Sequence, residues 1–144
     1  MKKIYVASSW RNPTQPSVVA ALREAGHEVY DFRNPAPGNS GFGWRQLGLG
    51  DAKEWTPGIL REALRHPVAQ QGFAHDMDAL RSCDACVLVL PCGRSAHLEL
   101  GWATGAGKRT YVLTAETLDE PELMYLMCDG ICLSVAEVVE LLKE

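Results

Sequence analysis

Five short apolar runs, spaced by segments of helical character, constrain this chain more than any other feature. The runs are "KIYVAS" (3–8), "HEVYDF" (27–32), "ACVLVLP" (85–91), "RTYVLT" (109–114) and "GICLS" (130–134). The third is the most apolar stretch of the chain and reads as a central strand, buried on both faces. A helix is expected over 16–25, with Pro16 suited to its first turn and Gly26 to its stop. "PGILREALRHP" and "PVAQQGFAHDMDALRSC" give two more helices, and another runs over about 95–106 with Gly107 near its end. "EPELMYLM" reads as a short helix and "VAEVVELLKE" as an amphipathic C-terminal one. Strands alternating with helices imply a parallel sheet covered on both faces, with right-handed crossovers. The expectation is one α/β domain over 1–144, a flavodoxin-like or Rossmann-like three-layer sandwich with five strands in order 2-1-3-4-5.

Composition narrows the partners. The net charge of −4, with no basic block, argues against a nucleic-acid-coating protein. No apolar stretch approaches the ~20 residues needed to cross a bilayer, and "MKKIYVASSW" turns polar too soon for a signal-peptide core. A cytoplasmic protein with five reduced cysteines is therefore expected. Cys83 and Cys86 form a C-x-x-C, but they precede a strand, whereas a redox pair sits after one at a helix N-terminus. His75 and His97 complete no metal set, and neither a metal nor a cofactor is expected.

Residues 33–56 form a long connection, rich in glycine and proline, that carries Phe42, Trp44 and Trp55. Loops of this length in a compact domain are usually functional or disordered. The aromatic content favours lid-like packing, with Trp44 as a candidate substrate contact.

In a sheet of this order, ligands bind beyond the carboxyl ends of the strands where the order reverses, here between strands one and three. Two loops meet that point. One supplies Ser8, Ser9, Arg11 and Asn12, the other Gly93, Arg94 and Ser95. The helix N-terminus after the second loop offers N–H groups to an anion, and Ser95 can serve as its N-cap, as an anion donor, or as both. Glu99 follows one turn later, on the same side as Trp102, Ala103 and Ala106. A carboxylate on a small, apolar face near a helix N-terminus is ionised and partly desolvated, as a nucleophile must be. On the preceding helix, Phe73, Met77, Leu80 and Cys83 mark an apolar stripe. Asp76 falls inside that arc, and Asp78 lies well outside it. Two carboxylates flanking one central strand suit glycosyl transfer, one attacking the anomeric carbon and the other handling protons.

"IYVASSW", "DMDALRSCDACVLVLP" and "HLELGWATGAGK" resemble the nucleoside 2-deoxyribosyltransferase superfamily, which includes the deoxynucleoside 5′-monophosphate N-glycosidases. The resemblance covers about half the chain: the first strand and residues 72–113. It implies that Glu99 is the nucleophile at C1′ of the sugar and that Asp76 assists protonation or positioning of the nucleobase. It also implies that Tyr5 hydrogen-bonds and orients the nucleophile. It further implies a homo-oligomer, dimer or higher, whose active sites borrow residues from a neighbouring subunit, with "PELMYLMCD" as the candidate contribution. "CGRSAHLELG" departs from the family's Gly-rich loop by being shorter and more basic, which leaves open whether Arg94 and Ser95 hold a 5′-phosphate.

The resulting expectation is an enzyme that cleaves the N-glycosidic bond of (deoxy)nucleosides or nucleotides through a glycosyl-Glu99 intermediate. The sugar passes to another base (a transferase) or to water (a hydrolase). The alternatives are a hydrolase restricted to 5′-monophosphates and a non-catalytic module sensing a nucleotide or NAD derivative. A phosphoacceptor receiver domain shares the sheet order but requires acids where this chain has Ser8, Ser9 and Pro91.

Overall fold

A computed structural model describes every residue from Met1 to Glu144. The five apolar runs become β1 (Lys3–Ala7), β2 (Glu28–Asp31), β3 (Ala85–Val89), β4 (Arg109–Leu113) and β5 (Gly130–Cys132). They form one all-parallel sheet in order β2-β1-β3-β4-β5, as expected. All five residues of β3 are buried, which accounts for its unbroken apolar run. The helices are α1 (Gln15–Glu24), α2 (Pro57–Ala63), α3 (Pro67–Ser82), α4 (Arg94–Gly105) and α5 (Val135–Leu142). "EPELMYLM" forms a 3₁₀ turn over Leu123–Met127.

The chain divides into two compact units, one of Met1–Asp31 with Leu80–Glu144 and one of Phe32–Ala79. In the first, strand side chains alternate between two covered faces. Ile4, Val6, Val29, Ala85, Val87 and Val89 pack with Val18, Val19 and Leu22 of α1 and Val138 and Leu142 of α5. Tyr5, Cys86 and Leu88 have the opposite parity, and α4 presents Ala96, Leu100 and Ala103 from its buried side. The buried apolar faces of these elements supply most of the driving force for this three-layer arrangement.

Polar clamps set the register. The Asp84 carboxylate accepts from the Lys3 backbone N–H at 2.7 Å, and the Asp84 N–H donates to the Lys3 carbonyl. The Lys108 ammonium donates to the carbonyls of Arg81 and Cys83 at 2.7 and 2.8 Å, satisfying orphan acceptors at the end of α3. Gly107, at φ +78°, takes the left-handed conformation that ends α4.

The second unit gives the long connection an ordered interior. Two 3₁₀ turns, Trp44–Leu47 and Ala52–Glu54, interrupt what the glycine density suggests is open loop. The Gln46 side-chain oxygen accepts from the Gly43 N–H, Asp51 caps the second turn through the Lys53 N–H, and Leu47 is buried. Thr56 caps α2 through the Ile59 N–H. The stripe expected on α3 is shorter than its apolar letters: Leu80 is buried, whereas Phe73 is 66% exposed.

Candidate active site

At the carboxyl ends of β1 and β3, one buried amide organises both loops. The Asn12 amide nitrogen donates to the carbonyls of Val89 and Pro91, each at 3.2 Å. Its oxygen accepts from the Thr14 and Gln15 N–H groups and the Thr14 hydroxyl, which starts α1. Ser8 donates to the Val89 carbonyl at 2.8 Å. Ser8 and Asn12 therefore hold the switch point together. The Ser9 hydroxyl accepts from the Arg11 N–H at 3.2 Å, and the Arg11 side chain extends from an exposed position.

The second loop differs from expectation in one respect. Gly93, and not Ser95, is the N-cap of α4, and no side chain caps the helix. Chain entry at Gly93 in an extended conformation moves the helix start one residue earlier, leaving Ser95 exposed in the first turn. Arg94 is likewise exposed in that turn. The N-terminal partial positive charge of α4, Arg94 and the Ser95 hydroxyl thus lie together at the surface.

Glu99 is half-buried in the second turn of α4 and accepts a short hydrogen bond from the Tyr5 hydroxyl. Tyr5 is completely buried in β1. Its ring stacks on Tyr30, its register partner on β2, with centroids 5.1 Å apart and planes 19° apart. The phenol is thereby fixed by the sheet, and the phenol in turn orients the carboxylate. The charge on Glu99 registers in its surroundings. The Cys92 thiol is pushed up to about 12, first by burial and then by the nearby Glu99 charge. Cys86, beside Tyr5 in the ladder, is also raised well above the ordinary thiol range, chiefly by burial and to a lesser extent by Cys83 and Glu99. Both cysteines stay protonated and are not nucleophiles at neutral pH.

His97 forms a second link from α4. Its Nδ1 lies 2.7 Å from the Gly93 carbonyl, so the proton sits there, and Nε2 accepts from the Tyr125 hydroxyl at 2.8 Å. The two rings stack 5.8 Å apart. "PELMYLMCD" is tied to the helix carrying Glu99 by this bond, a role not read from its sequence.

Among the expected site residues, the first unit gathers Tyr5, Ser8, Ser9, Arg11, Gly93, Arg94, Ser95 and Glu99. The second holds Trp44 and Asp76. Asp76 is half-buried and Asp78 exposed, the order that the helical wheel implied. Trp44 is edge-on to Phe42 at 4.9 Å and to Trp55 at 5.4 Å. No group of three or more His, Cys, Asp or Glu side chains is placed to hold a metal ion.

Tyr30 and Asn12 carry structural duties that the sequence reading did not assign. The signal for Asn12 was present in "NPTQP", where an Asn two residues before a Thr at a helix start forms an Asx turn.

No protein-family model matches the sequence, and no curated protein matches it. Solved structures do. The 2-deoxyribosyltransferase of the psychrotolerant bacterium Bacillus psychrosaccharolyticus is similar with a TM-score of 0.56 and 19% identity, covering 94% of this chain and 89% of that one. The CMP N-glycosidase BcmB of Clostridium botulinum gives a TM-score of 0.51 and 18% identity, over 98% of each chain. The chain shares the fold of both.

Proposed function

We propose that the protein cleaves the N-glycosidic bond of (deoxy)nucleosides or nucleotides by double displacement at C1′. The observation that carries this reading is the Glu99 carboxylate, half-buried and oriented by a phenol that the sheet holds rigid. A pure anion binder has no use for such a group in its cleft.

In the first step a Glu99 oxygen forms a bond to C1′ as the C1′–N bond breaks, its electron pair leaving with the base. Asp76 supplies or positions the proton the base takes up, a role assigned through the superfamily resemblance. In the second step a nitrogen of an acceptor base, or water, forms a bond to C1′ as the C1′–O bond to Glu99 breaks, and the proton it loses restores the acid that protonated the leaving base. Two inversions give net retention. Tyr5 holds Glu99 on trajectory, and Phe42, Trp44 and Trp10 are the candidates to stack on the base.

A 5′-monophosphate is the second substrate reading, favoured by the side-chain-free cap of α4 with Arg94 and Ser95 in its first turn. The similarity to a CMP N-glycosidase points the same way.

The test is chromatography of released base from a panel of deoxynucleosides, ribonucleosides and their 5′-monophosphates, with and without an acceptor base. Base release by the wild type and its loss in Glu99→Ala are expected. Absence of turnover on every substrate, or full turnover by Glu99→Ala, contradicts the reading. Release from monophosphates alone selects the hydrolase.

A further inference from the structure

Gly93 is the N-cap of α4 and brings no side chain to its first turn. A Cβ built at Gly93 would meet nothing within 4 Å, so packing does not hold the residue either. Helix ends without a cap fray. Glu99 stands one turn further in, and helical side chains lean toward the N-terminus, so its carboxylate lies over that first turn. Play in the turn therefore reaches the carboxylate.

His97 holds the turn from within. Its Nδ1–H donates to the Gly93 carbonyl, one turn back along α4, at 2.7 Å. Its Nε2 accepts from the Tyr125 hydroxyl at 2.8 Å, and the two ring planes lie 13° apart. With both nitrogens bonded and one face stacked, the imidazole is fixed in place and in tilt. Tyr125 is anchored in its turn. The Glu122 carboxylate accepts from the Met124 N–H at 2.9 Å, and the Tyr125 carbonyl accepts from the Cys128 N–H at 3.0 Å. The Asp129 carboxylate accepts from the Thr110 N–H and the Asp129 N–H donates to the Thr110 carbonyl, each at 2.8 Å. A chain of contacts thus runs from β4 through the 3₁₀ turn and the imidazole to Gly93. Every member belongs to the unit that holds Tyr5 and Glu99.

We infer that His97 and Tyr125 are positioning residues for Glu99, acting from β4 as Tyr5 acts from β1. The inference rests on the proposed N-glycosidic activity. Tyr5 fixes the carboxylate by its end, whereas His97 and Tyr125 fix the backbone turn beneath it. Neither need touch the reacting atoms. A slack turn leaves substrate bound but carries the carboxylate off its line to C1′, and a small misplacement of a reacting group is costly in rate. The loss falls on kcat and not on KM.

The experiment is steady-state kinetics, on the best substrate of the panel, of Tyr125→Phe, His97→Ala, His97→Asn and the His97→Ala/Tyr125→Phe double variant, with a melting temperature for each. Tyr125→Phe keeps the stacked ring and loses one hydrogen bond, so kcat is expected to fall about fivefold. His97→Ala loses both bonds and lowers kcat about 30-fold. KM stays within about twofold in each. Asparagine places an amide N–H where the Nδ1–H stood, so His97→Asn recovers kcat to the level of Tyr125→Phe. In the His97→Ala background, Tyr125→Phe has no further effect.

A lowered melting temperature with unchanged kcat in His97→Ala and Tyr125→Phe marks a purely structural link. It overturns the inference while leaving the N-glycosidic reading intact. A rise in KM at constant kcat does the same, as does an effect of Tyr125→Phe that survives undiminished without His97. If His97→Ala does not fold, Tyr125→Phe and His97→Asn decide by the same split. A wild type with no turnover overturns both readings.

Discussion

The carboxylate of Glu99 and the phenol of Tyr5 belong to residues 94 positions apart, and their meeting is the central event at the residue scale. A hydrogen bond to a charged group is worth about 1.5–3 kcal/mol, so Tyr5→Phe is expected to lower kcat by about 10–100-fold while the fold survives. Circular dichroism and base-release rates measure the two effects separately. Cys92 gives a second test. Burial and the Glu99 charge raise its thiol in the folded protein to about 12, whereas the unfolded thiol ionises near the ordinary value of 9. Below that value both states are protonated and stability is unaffected. Between pH 9 and 12 the unfolded state loses its proton first, so stability falls as pH rises. Cys92→Ala is expected to flatten that decline in denaturant midpoints taken across the window. The sequence marked Glu99 as an acid on a packing face and Asp76 as an acid within an apolar arc. It could not mark Tyr30, whose role follows from register between neighbouring strands, which no local pattern encodes.

Elements explain why the loops hold their shape. The β1–α1 loop is fixed to the end of β3 through one amide, with Asn12 2% exposed and bonded on both its nitrogen and its oxygen. Asn12→Ala leaves those backbone partners without it inside the protein, and a loss of about 2 kcal/mol is expected in chemical denaturation. A loss below 0.5 kcal/mol would show that the clamp contributes little. The elements themselves were largely legible, because strands buried on both faces read as short apolar runs and helices were bounded by Pro and Gly. Two failures share one cause. Ser95 looks like an N-cap and Phe73 like a core residue, but tertiary context decides otherwise: the chain enters α4 at Gly93, and Phe73 is exposed. The 3₁₀ turns of the long connection were hidden because side-chain caps at Gln46 and Asp51 build them without any helical periodicity.

At the scale of the whole molecule, the sheet order puts the β1 and β3 loops together, and α4 brings Glu99 up beside them. The 3₁₀ turn bonded to His97 carries Leu123 at 74% and Leu126 at 83% exposure, with Met124 and Met127 also exposed. Four exposed apolar side chains in five residues form a surface that self-association would cover. A homo-oligomer is therefore expected in analytical ultracentrifugation, and Leu126→Lys is expected to shift it toward monomer. A wild type that sediments as a monomer at all concentrations contradicts that expectation. The proposed activity turns on covalent chemistry at one carboxylate. Acid-quenching the enzyme during turnover and mapping its peptides by mass spectrometry tests this most directly. A sugar adduct on the peptide containing Glu99, absent in Glu99→Ala, is the predicted result; steady base release by Glu99→Ala at the wild-type rate, with no adduct on either protein, would contradict it.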